Sequence, residues 1–132
     1  MPDIISFQKE LPNSADTVDL TYLSNICDHD KQFMREMIEN FTIEMPKNIS
    51  YLNQQIEEKN WLEVKKIAHK MKPSIQFMGL PNTLEYVRII EQQCKETENH
   101  ESISFMFEKV YANISFAVVI LNDFVSKELA DI

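Results

Sequence analysis

The spacing of apolar residues, which recur three and four positions apart over long stretches, is the feature that most constrains the fold of this chain. In residues 30–58 the pattern runs from Met34 to Ile56, and in the last third of the sequence it runs from Ile103 to Phe124. This spacing places the apolar side chains on one face of an α-helix. The whole sequence contains one glycine, so the tight turns of a β-sheet have little to be built from. We therefore expect an all-α domain.

The apolar pattern is interrupted by polar turns, and these interruptions predict where the helices begin and end. A short helix is expected at residues 19–26, with Asp16 or Asp19 as its N-cap. Residues 30–58 keep one helical phase across Pro46, which predicts a single kinked helix, with a break at 45–46 as the alternative. The inner face of the short helix would consist of Leu20, Leu23, Ile26 and Cys27.

The second half of the chain predicts three more helices. One starts near Trp61 and ends at Gly79, where a left-handed residue can terminate a helix. The next is capped by Asn82 and runs to about Glu98, and the last carries the repeat that ends at Phe124. Four long helices joined by short connections pack as an antiparallel up-down-up-down four-helix bundle, here with a short extra N-terminal helix.

Domain organisation and cellular location are predicted from composition. Residues 1–15 lack a periodic pattern and are interpreted as an N-terminal tail, so that residues 16–132 form the helical bundle domain. The net charge of −8 argues against nucleic acid and against an anionic membrane surface, since both require a broad basic field. The N-terminus shows no signal peptide pattern, and no run approaches a membrane span. We expect a cytoplasmic protein whose partners are proteins or small molecules.

Several kinds of active site lack the residues that they require. A metal core inside a bundle needs inward-facing Glu-x-x-His pairs, and none occurs, while His29 falls in a predicted loop and His100 in a predicted turn. Cys94 and Ser74 are expected to face the core, away from any catalytic base, and Cys27 is expected to be a buried, reduced thiol. The sequence also has no glycine-rich phosphate loop. We therefore expect neither a metal site nor a nucleotide site.

One titratable side chain stands apart from the apolar pattern. His69 lies opposite the apolar stripe of the helix that begins near Trp61, at about 100° per residue. Leu62 and Leu80 fall on the same side as His69, toward the two ends of that face. The pattern therefore predicts an imidazole on a solvent-exposed face. The side chains within about 60° of it are Lys65, Lys66, Lys72, Pro73 and Gln76.

The charge around His69 is opposite in sign to that of the whole chain. Between Trp61 and Lys72 there are four lysines and one glutamate, a local net charge of +3 in a chain of −8. Lysines can neutralise a phosphoryl group, and a neutral imidazole, with an ordinary pKa of about 6.5, can attack phosphorus. The alternative is an exposed histidine without a role, and the charge pattern weighs against that alternative.

The residues around His69 also resemble a known signature. The run AHKMKPS that contains His69, followed by MGL at residues 78–80, is similar to the motif of the histidine-containing phosphotransfer (HPt) domain. In that family the usual run is His-x-Leu-Lys-Gly-Ser, with a glycine about ten residues after the histidine, on the second helix of a four-helix bundle. Trp61 and Pro46 also fall where the family tends to have similar residues, and the resemblance covers roughly residues 17–125.

The resemblance implies a role for each matching position. His69 would be the phospho-acceptor, Lys72 would neutralise the phosphoryl oxygens, and Gln76 would help to orient the imidazole or the phosphate. Pro73 replaces the usual glycine, and it lacks the N–H that would bond the carbonyl of His69. The residues expected to contact a partner are Leu62, Lys65, Lys66, Pro73, Phe77, Gly79 and Leu80.

The family role is that of a phosphoryl carrier, not an enzyme. His69 would exchange a phosphoryl group with the aspartate of a response-regulator receiver domain, and a hybrid sensor histidine kinase would act upstream. The chain is expected to bind no cofactor, because the receiver supplies Mg²⁺. We expect a monomer and a free-standing shuttle, although a module of a larger kinase would have the same sequence. Two alternatives stay open: an adaptor that binds signalling proteins without phosphorylation, and a purely structural bundle.

Overall fold

A computed structural model describes residues 16–95 and 100–131 of the chain. Within these residues all regular structure is helical, which confirms the predicted all-α class. The predicted N-terminal tail, residues 1–15, lies outside the described residues. The helices are α1 (Thr21–Ile26), α2 (Lys31–Glu57), α3 (Trp61–Phe77), α4 (Pro81–Gln93) and α5 (Glu101–Glu128).

The four long helices form the predicted bundle. Each packs against the next one along the chain, and α5 closes the ring by packing against α2. Connections at residues 58–60 and 78–80 are short and reverse the chain, so α3 is antiparallel to both of its neighbours. The apolar faces meet in one core, whose fully buried side chains include Ile38, Leu52, Val64, Ile90 and Leu121.

Helix α2 is continuous through Pro46, so the prediction of a single helix is confirmed and the alternative break at 45–46 is wrong. Pro46 is exposed, whereas Met45 before it and Ile49 after it are buried on the same apolar face. Burial on both sides of the proline offsets the hydrogen bond that proline removes from the helix.

Helix α1 covers one end of the bundle and buries Leu23 completely. Of the two adjacent residues expected on the inner face at the end of α1, Cys27 is buried as predicted, whereas Ile26 is exposed. Near the start of α1, the side chain of Asp19 accepts a hydrogen bond from the backbone N–H of Thr21 at 3.0 Å. Leu20 occupies the N-cap position, so the prediction of Asp19 as the N-cap is wrong, although its carboxylate accepts from one of the free N–H groups of the helix.

Asp16, the other candidate cap for α1, instead caps helix α4. Its buried carboxylate accepts hydrogen bonds from the backbone N–H groups of Asn82 and Thr83, at 2.9 and 2.6 Å, and from the Thr83 hydroxyl. Helix α4 begins at Pro81, so Asn82 lies inside its first turn, and the prediction of Asn82 as the N-cap is wrong. A side chain 66 residues earlier satisfies these N–H groups instead.

The last two helices differ from expectation in length and in hydropathy. Helix α4 ends at Gln93, short of the predicted Glu98.

Helix α5 contains an 18-residue window with mean hydropathy 1.5, so by length and composition it could cross a membrane. The expectation that no run approaches a span is therefore wrong. Core helices of soluble proteins pass the same test. Here α5 packs against α2 and α4 and buries Ile103, Val110 and Leu121.

Candidate functional site

His69 lies in the middle of α3 on the outer surface of the bundle, with 70% of its side chain exposed. The opposite face of α3 buries Val64, Ile67 and Met71 against the neighbouring helices. The predicted exposure of His69 is therefore confirmed, and it follows from the helical period of α3 alone.

The imidazole is held by a carboxylate from the neighbouring helix. Nδ1 of His69 is 3.0 Å from Oε1 of Glu91, which lies on α4. The other carboxylate oxygen, Oε2, is 2.7 Å from Nζ of Lys72. His69 and Lys72 are one turn apart on α3, and the packing of α3 against α4 brings Glu91 to both of them. One carboxylate thus joins two of the predicted site residues.

The contact with Glu91 determines which nitrogen carries the proton when the His69 ring is neutral. An ionised carboxylate only accepts hydrogen bonds, so Nδ1 must be the donor and Nε2 keeps its lone pair. Because Nδ1 faces Glu91, Nε2 is directed away from α4 on an exposed ring. The arrangement presents a nucleophilic nitrogen to solvent.

Glu91 is largely buried, with 17% of its side chain exposed. Partial burial disfavours the charged carboxylate, but the ion pair with Lys72 and the hydrogen bond with His69 outweigh this effect and hold the pKa of Glu91 below its ordinary value. Glu91 is therefore ionised near neutral pH, which is the state that keeps the ring proton on Nδ1.

Sequence patterns do not single out Glu91. It is one of many carboxylates, 22 residues from His69, and the register between two helices brings them together. The resemblance suggested Gln76 as the orienting residue. Gln76 is exposed on α3, and the ring of His69 donates its hydrogen bond to Glu91. The sequence feature that could have indicated Glu91 is its place directly after the buried Ile90, at the edge of the apolar face of α4.

The predicted lysine cluster is present, and nearby carboxylates partly neutralise it. Lys72 pairs with Glu91 at 2.7 Å and Lys66 with Glu63 at 3.7 Å. Lys66 is exposed and Lys65 is half-buried. The positive charge available around His69 is therefore smaller than the number of lysines suggests.

The residues predicted to contact a partner differ in exposure. Leu62 is 63% exposed and Pro73 is also exposed, so both are accessible. Phe77 is half-buried, and its ring stacks on Tyr22 of α1 with the centroids 6.0 Å apart. Leu80 was expected on the exposed face but is only 1% exposed, so that prediction is wrong. Helix α3 ends before Leu80, so the angle of 100° per residue does not predict where the Leu80 side chain points.

Gly79 has the left-handed conformation predicted for a helix terminus, with a φ of +68°. A Cβ at this position would overlap the carbonyl oxygen of Asp19, in the segment that leads to α1. The backbone N–H of Asp19 donates to the carbonyl of Met78 at 3.3 Å. The glycine therefore allows close contact between the end of α3 and the segment before α1.

Two surface hollows lie on different sides of the bundle. The smaller, about 320 Å³, lies between α2 and α3 near the C-terminal end of α3, and its lining includes Phe33, Met37, Ser74 and Phe77. The larger, about 720 Å³, lies between α2 and α5, and its lining includes Ile49, Ile56, Phe107 and Tyr111. In the ring of helices, the α2–α5 edge is opposite the α3–α4 edge that holds His69. The smaller hollow is therefore the one of these two that borders α3, the helix that carries His69.

A comparison with family models connects this geometry to a known domain. The model described as the Hpt domain matches residues 36–114, more than half of the chain, and the matched range includes His69, Lys72 and Glu91. The chain belongs to the Hpt domain family. A search of curated proteins and a search of solved structures each returned no match. Membership in the Hpt family supports a role as a phosphotransfer carrier in phosphorelays.

The two other histidines of this Hpt domain have different surroundings. Nδ1 of His29 is 2.8 Å from the hydroxyl of Ser24, and the ring of His100 stacks on Trp61 with the centroids 4.2 Å apart. Among the histidines, all of which lie in the described residues, only His69 is hydrogen-bonded to a carboxylate.

In the part of the chain that the structure describes, the thiols are unreactive and the acidic residues form no metal site. Burial raises the pKa of the Cys94 thiol to about 11, so this side chain stays protonated near neutral pH, and Cys27 is buried. Neither forms a disulfide. Within residues 16–95 and 100–131, no group of three or more His, Cys, Asp or Glu residues could hold a metal ion.

Proposed function

We propose that this Hpt domain carries a phosphoryl group on Nε2 of His69 and exchanges it with the aspartate of a response-regulator receiver domain. The observation that supports this proposal is the hydrogen bond from Nδ1 to Glu91, which leaves the lone pair of Nε2 on the exposed side of the ring. Lys72, one turn along α3, supplies a positive charge next to the ring.

The proposed transfer needs no proton to move. The lone pair on Nε2 attacks the phosphorus of the aspartyl phosphate, and the N–P bond forms as the bond from phosphorus to the aspartate oxygen breaks. The aspartate leaves with the electron pair, and the ring of His69 becomes a cation that keeps its proton on Nδ1. Glu91 stabilises this developing positive charge. In the reverse direction the N–P bond breaks and the electron pair returns to Nε2.

The receiver partner is proposed to supply the metal ion. Phosphoryl transfer requires neutralisation of the phosphoryl oxygens, and this chain contributes lysines for that purpose. Mg²⁺ prefers carboxylate ligands, and the described residues contain no cluster of them. We therefore expect no ATPase or autokinase activity from this chain alone. The proposed upstream partner is a hybrid sensor histidine kinase. A monomeric state and a cytoplasmic location stay predictions.

The proposed docking surface for a receiver extends along α3 on both sides of His69. Leu62, two turns before His69, offers an exposed apolar side chain. On the other side, the hollow between α2 and α3 is bordered by Phe77 and by the exposed Phe33, and Tyr22 of α1 stacks beside it. These aromatic residues take the place that Leu80 was expected to fill. Apolar contacts of this kind would hold the receiver while the lysines orient it.

The test is phosphoryl transfer from a panel of Mg²⁺-loaded, phosphorylated receiver domains, measured by intact mass and by acid lability. The wild type should gain one acid-labile phosphoryl group, and His69→Gln should gain none. His29→Gln changes another exposed histidine and is the matched control, which should behave as the wild type. Receiver binding without transfer would support the adaptor function instead. If neither transfer nor binding occurs, the structural bundle is the remaining function.

A further inference from the structure

Lys72 and His69 share the two oxygens of one carboxylate. Oε1 of Glu91 is 3.0 Å from Nδ1 of His69, and Oε2 is 2.7 Å from Nζ of Lys72. The side chains of Glu91 and Lys72 are only 17% and 25% exposed, so solvent screens their attraction weakly. In the unphosphorylated domain, the ammonium group of Lys72 is thus already paired with Glu91.

His69 and Lys72 share one side of α3. Lys72 comes three residues after His69, so both side chains leave the same side of α3 one turn apart. Its flexible four-carbon stem ends in a point charge with rotatable donors. Glu91 contacts both this ammonium group and the imidazole ring. A rotation of the Lys72 side chain can therefore move the ammonium group from the carboxylate toward a group on the ring.

The other lysines near His69 are less suited to move between Glu91 and a phosphoryl group on the ring. Lys66 is exposed and pairs with Glu63 at 3.7 Å. Lys65 is half-buried, on the side of α3 that faces Cys94. Lys70 is exposed and follows His69 directly, which places it about 100° away around the helix. Lys72 is therefore the lysine that shares the carboxylate of Glu91 with the ring of His69.

We propose that Lys72 changes partners when His69 is phosphorylated: Nζ leaves Oε2 of Glu91 and binds the phosphoryl oxygens, so that Glu91 contacts only the Nδ1–H of the ring. This inference rests on the proposed function of His69. The exchange breaks no covalent bond and moves no proton, because the ring keeps Nδ1–H throughout. A phosphoryl group offers more negative charge and more acceptor oxygens than one carboxylate oxygen, and this difference drives the exchange.

The exchange matches the charge of the site to the charge of the ring. As the N–P bond forms, the imidazole becomes positive, and the departure of Lys72 leaves the full negative charge of Glu91 facing it. As the N–P bond breaks, the ring loses its positive charge, and Lys72 returns to neutralise Glu91. The same two residues therefore favour attachment and release of the phosphoryl group.

NMR of the ¹⁵N-labelled Nζ of Lys72 tests the exchange. Spectra are recorded for the unphosphorylated protein and after treatment with phosphoramidate, a small donor that needs no receiver. Glu91→Gln should shift the Lys72 resonance in the unphosphorylated protein and leave it unchanged in the phosphorylated protein, where Lys72 no longer contacts residue 91. A Lys72 resonance that still responds to Glu91→Gln after phosphorylation would overturn the exchange.

The equilibrium of the phosphoryl group between this domain and a receiver gives a second measurement. Lys72→Met should shift it toward the receiver about tenfold, and the matched control Lys47→Met, at an exposed lysine of α2 outside the proposed docking surface, by less than about twofold. Equal effects of the two substitutions would contradict the exchange. If His69 accepts the group from phosphoramidate and from no receiver, the proposed function fails while the NMR comparison still decides the exchange. If phosphoramidate leaves His69 unmodified, both proposals fail.

Discussion

Nδ1 of His69 donates a hydrogen bond to Oε1 of Glu91 across the interface between α3 and α4, at 3.0 Å. This contact orients the imidazole and keeps its proton on the nitrogen that does not react. It joins two helices that are both held by the bundle core, so the ring is oriented before any partner binds.

Glu91→Gln is expected to lower the rate of phosphoryl transfer about tenfold without unfolding the domain. A glutamine amide can either donate or accept, so both neutral tautomers of His69 become populated and the positive ring loses its charged partner. The ¹⁵N shifts of the ring report the tautomer, and rapid-quench kinetics with one receiver report the rate. A ring that keeps its wild-type tautomer, together with an unchanged rate, would rule out this role for Glu91.

The contribution of Glu91 to stability should depend on pH. The pKa of Glu91 is lowered in the folded protein, so its contribution is present above the unfolded-state value of about 4.3 and is lost as the pH falls through the folded pKa. Glu91→Gln should lower the free energy of unfolding by about 1 kcal/mol near neutral pH and by less in acid. Urea denaturation at the two pH values measures both losses. Equal losses would mean that packing, not charge, carries the contribution.

Asp16→Ala is expected to lower the free energy of unfolding by about 1 to 2 kcal/mol. Two N–H groups in the first turn of α4 and the hydroxyl of Thr83 would lose their acceptor. Asn82→Ala removes the exposed residue that the sequence pattern suggested as the cap, and it should change stability by less than about 0.5 kcal/mol. Urea denaturation compares the two variants, and a greater loss from Asn82→Ala would contradict the assignment of the cap to Asp16.

Gly79→Ala is expected to cost about 1 to 3 kcal/mol of stability, because a Cβ there meets the carbonyl oxygen of Asp19 and the backbone has a positive φ. Gln76→Ala, an exposed change in the last turn of the same helix, is the control and should have little effect. Hydrogen exchange should show earlier loss of protection in α1 than in the rest of the bundle. Wild-type protection of α1 in the alanine variant would mean that the contact with Asp19 adapts easily.

Leu62 and Leu80, which the helical angle placed on one face, should respond oppositely to truncation. Leu62→Ala is expected to weaken receiver binding several-fold and to leave stability within about 0.5 kcal/mol of wild type, because the side chain is exposed. Leu80→Ala should lower stability by about 2 to 5 kcal/mol, because it leaves a cavity in the core. Calorimetric binding to one receiver and urea denaturation separate the two effects. Unchanged receiver binding by Leu62→Ala would remove this residue from the docking surface.

The sequence by itself determined the features that depend on local periodicity and local chain stereochemistry. The apolar stripe of α3 decides which of its faces is buried, so the burial of Met71 and the exposure of His69 follow without knowledge of the neighbouring helices. The continuity of α2 through Pro46 follows in the same way from an apolar phase that does not change. The left-handed φ of Gly79 is likewise a local property of a helix end.

Only the tertiary structure decided which residues of different segments meet. Glu91 reaches His69 because α4 packs against α3 in one particular register, and Asp16 reaches the start of α4 because the segment before α1 crosses that end of the bundle. Leu80 is buried because the chain leaves the helical path before that residue. Helical periodicity predicts which face of one helix points inward, but the register between helices depends on how all the side chains of the core pack together.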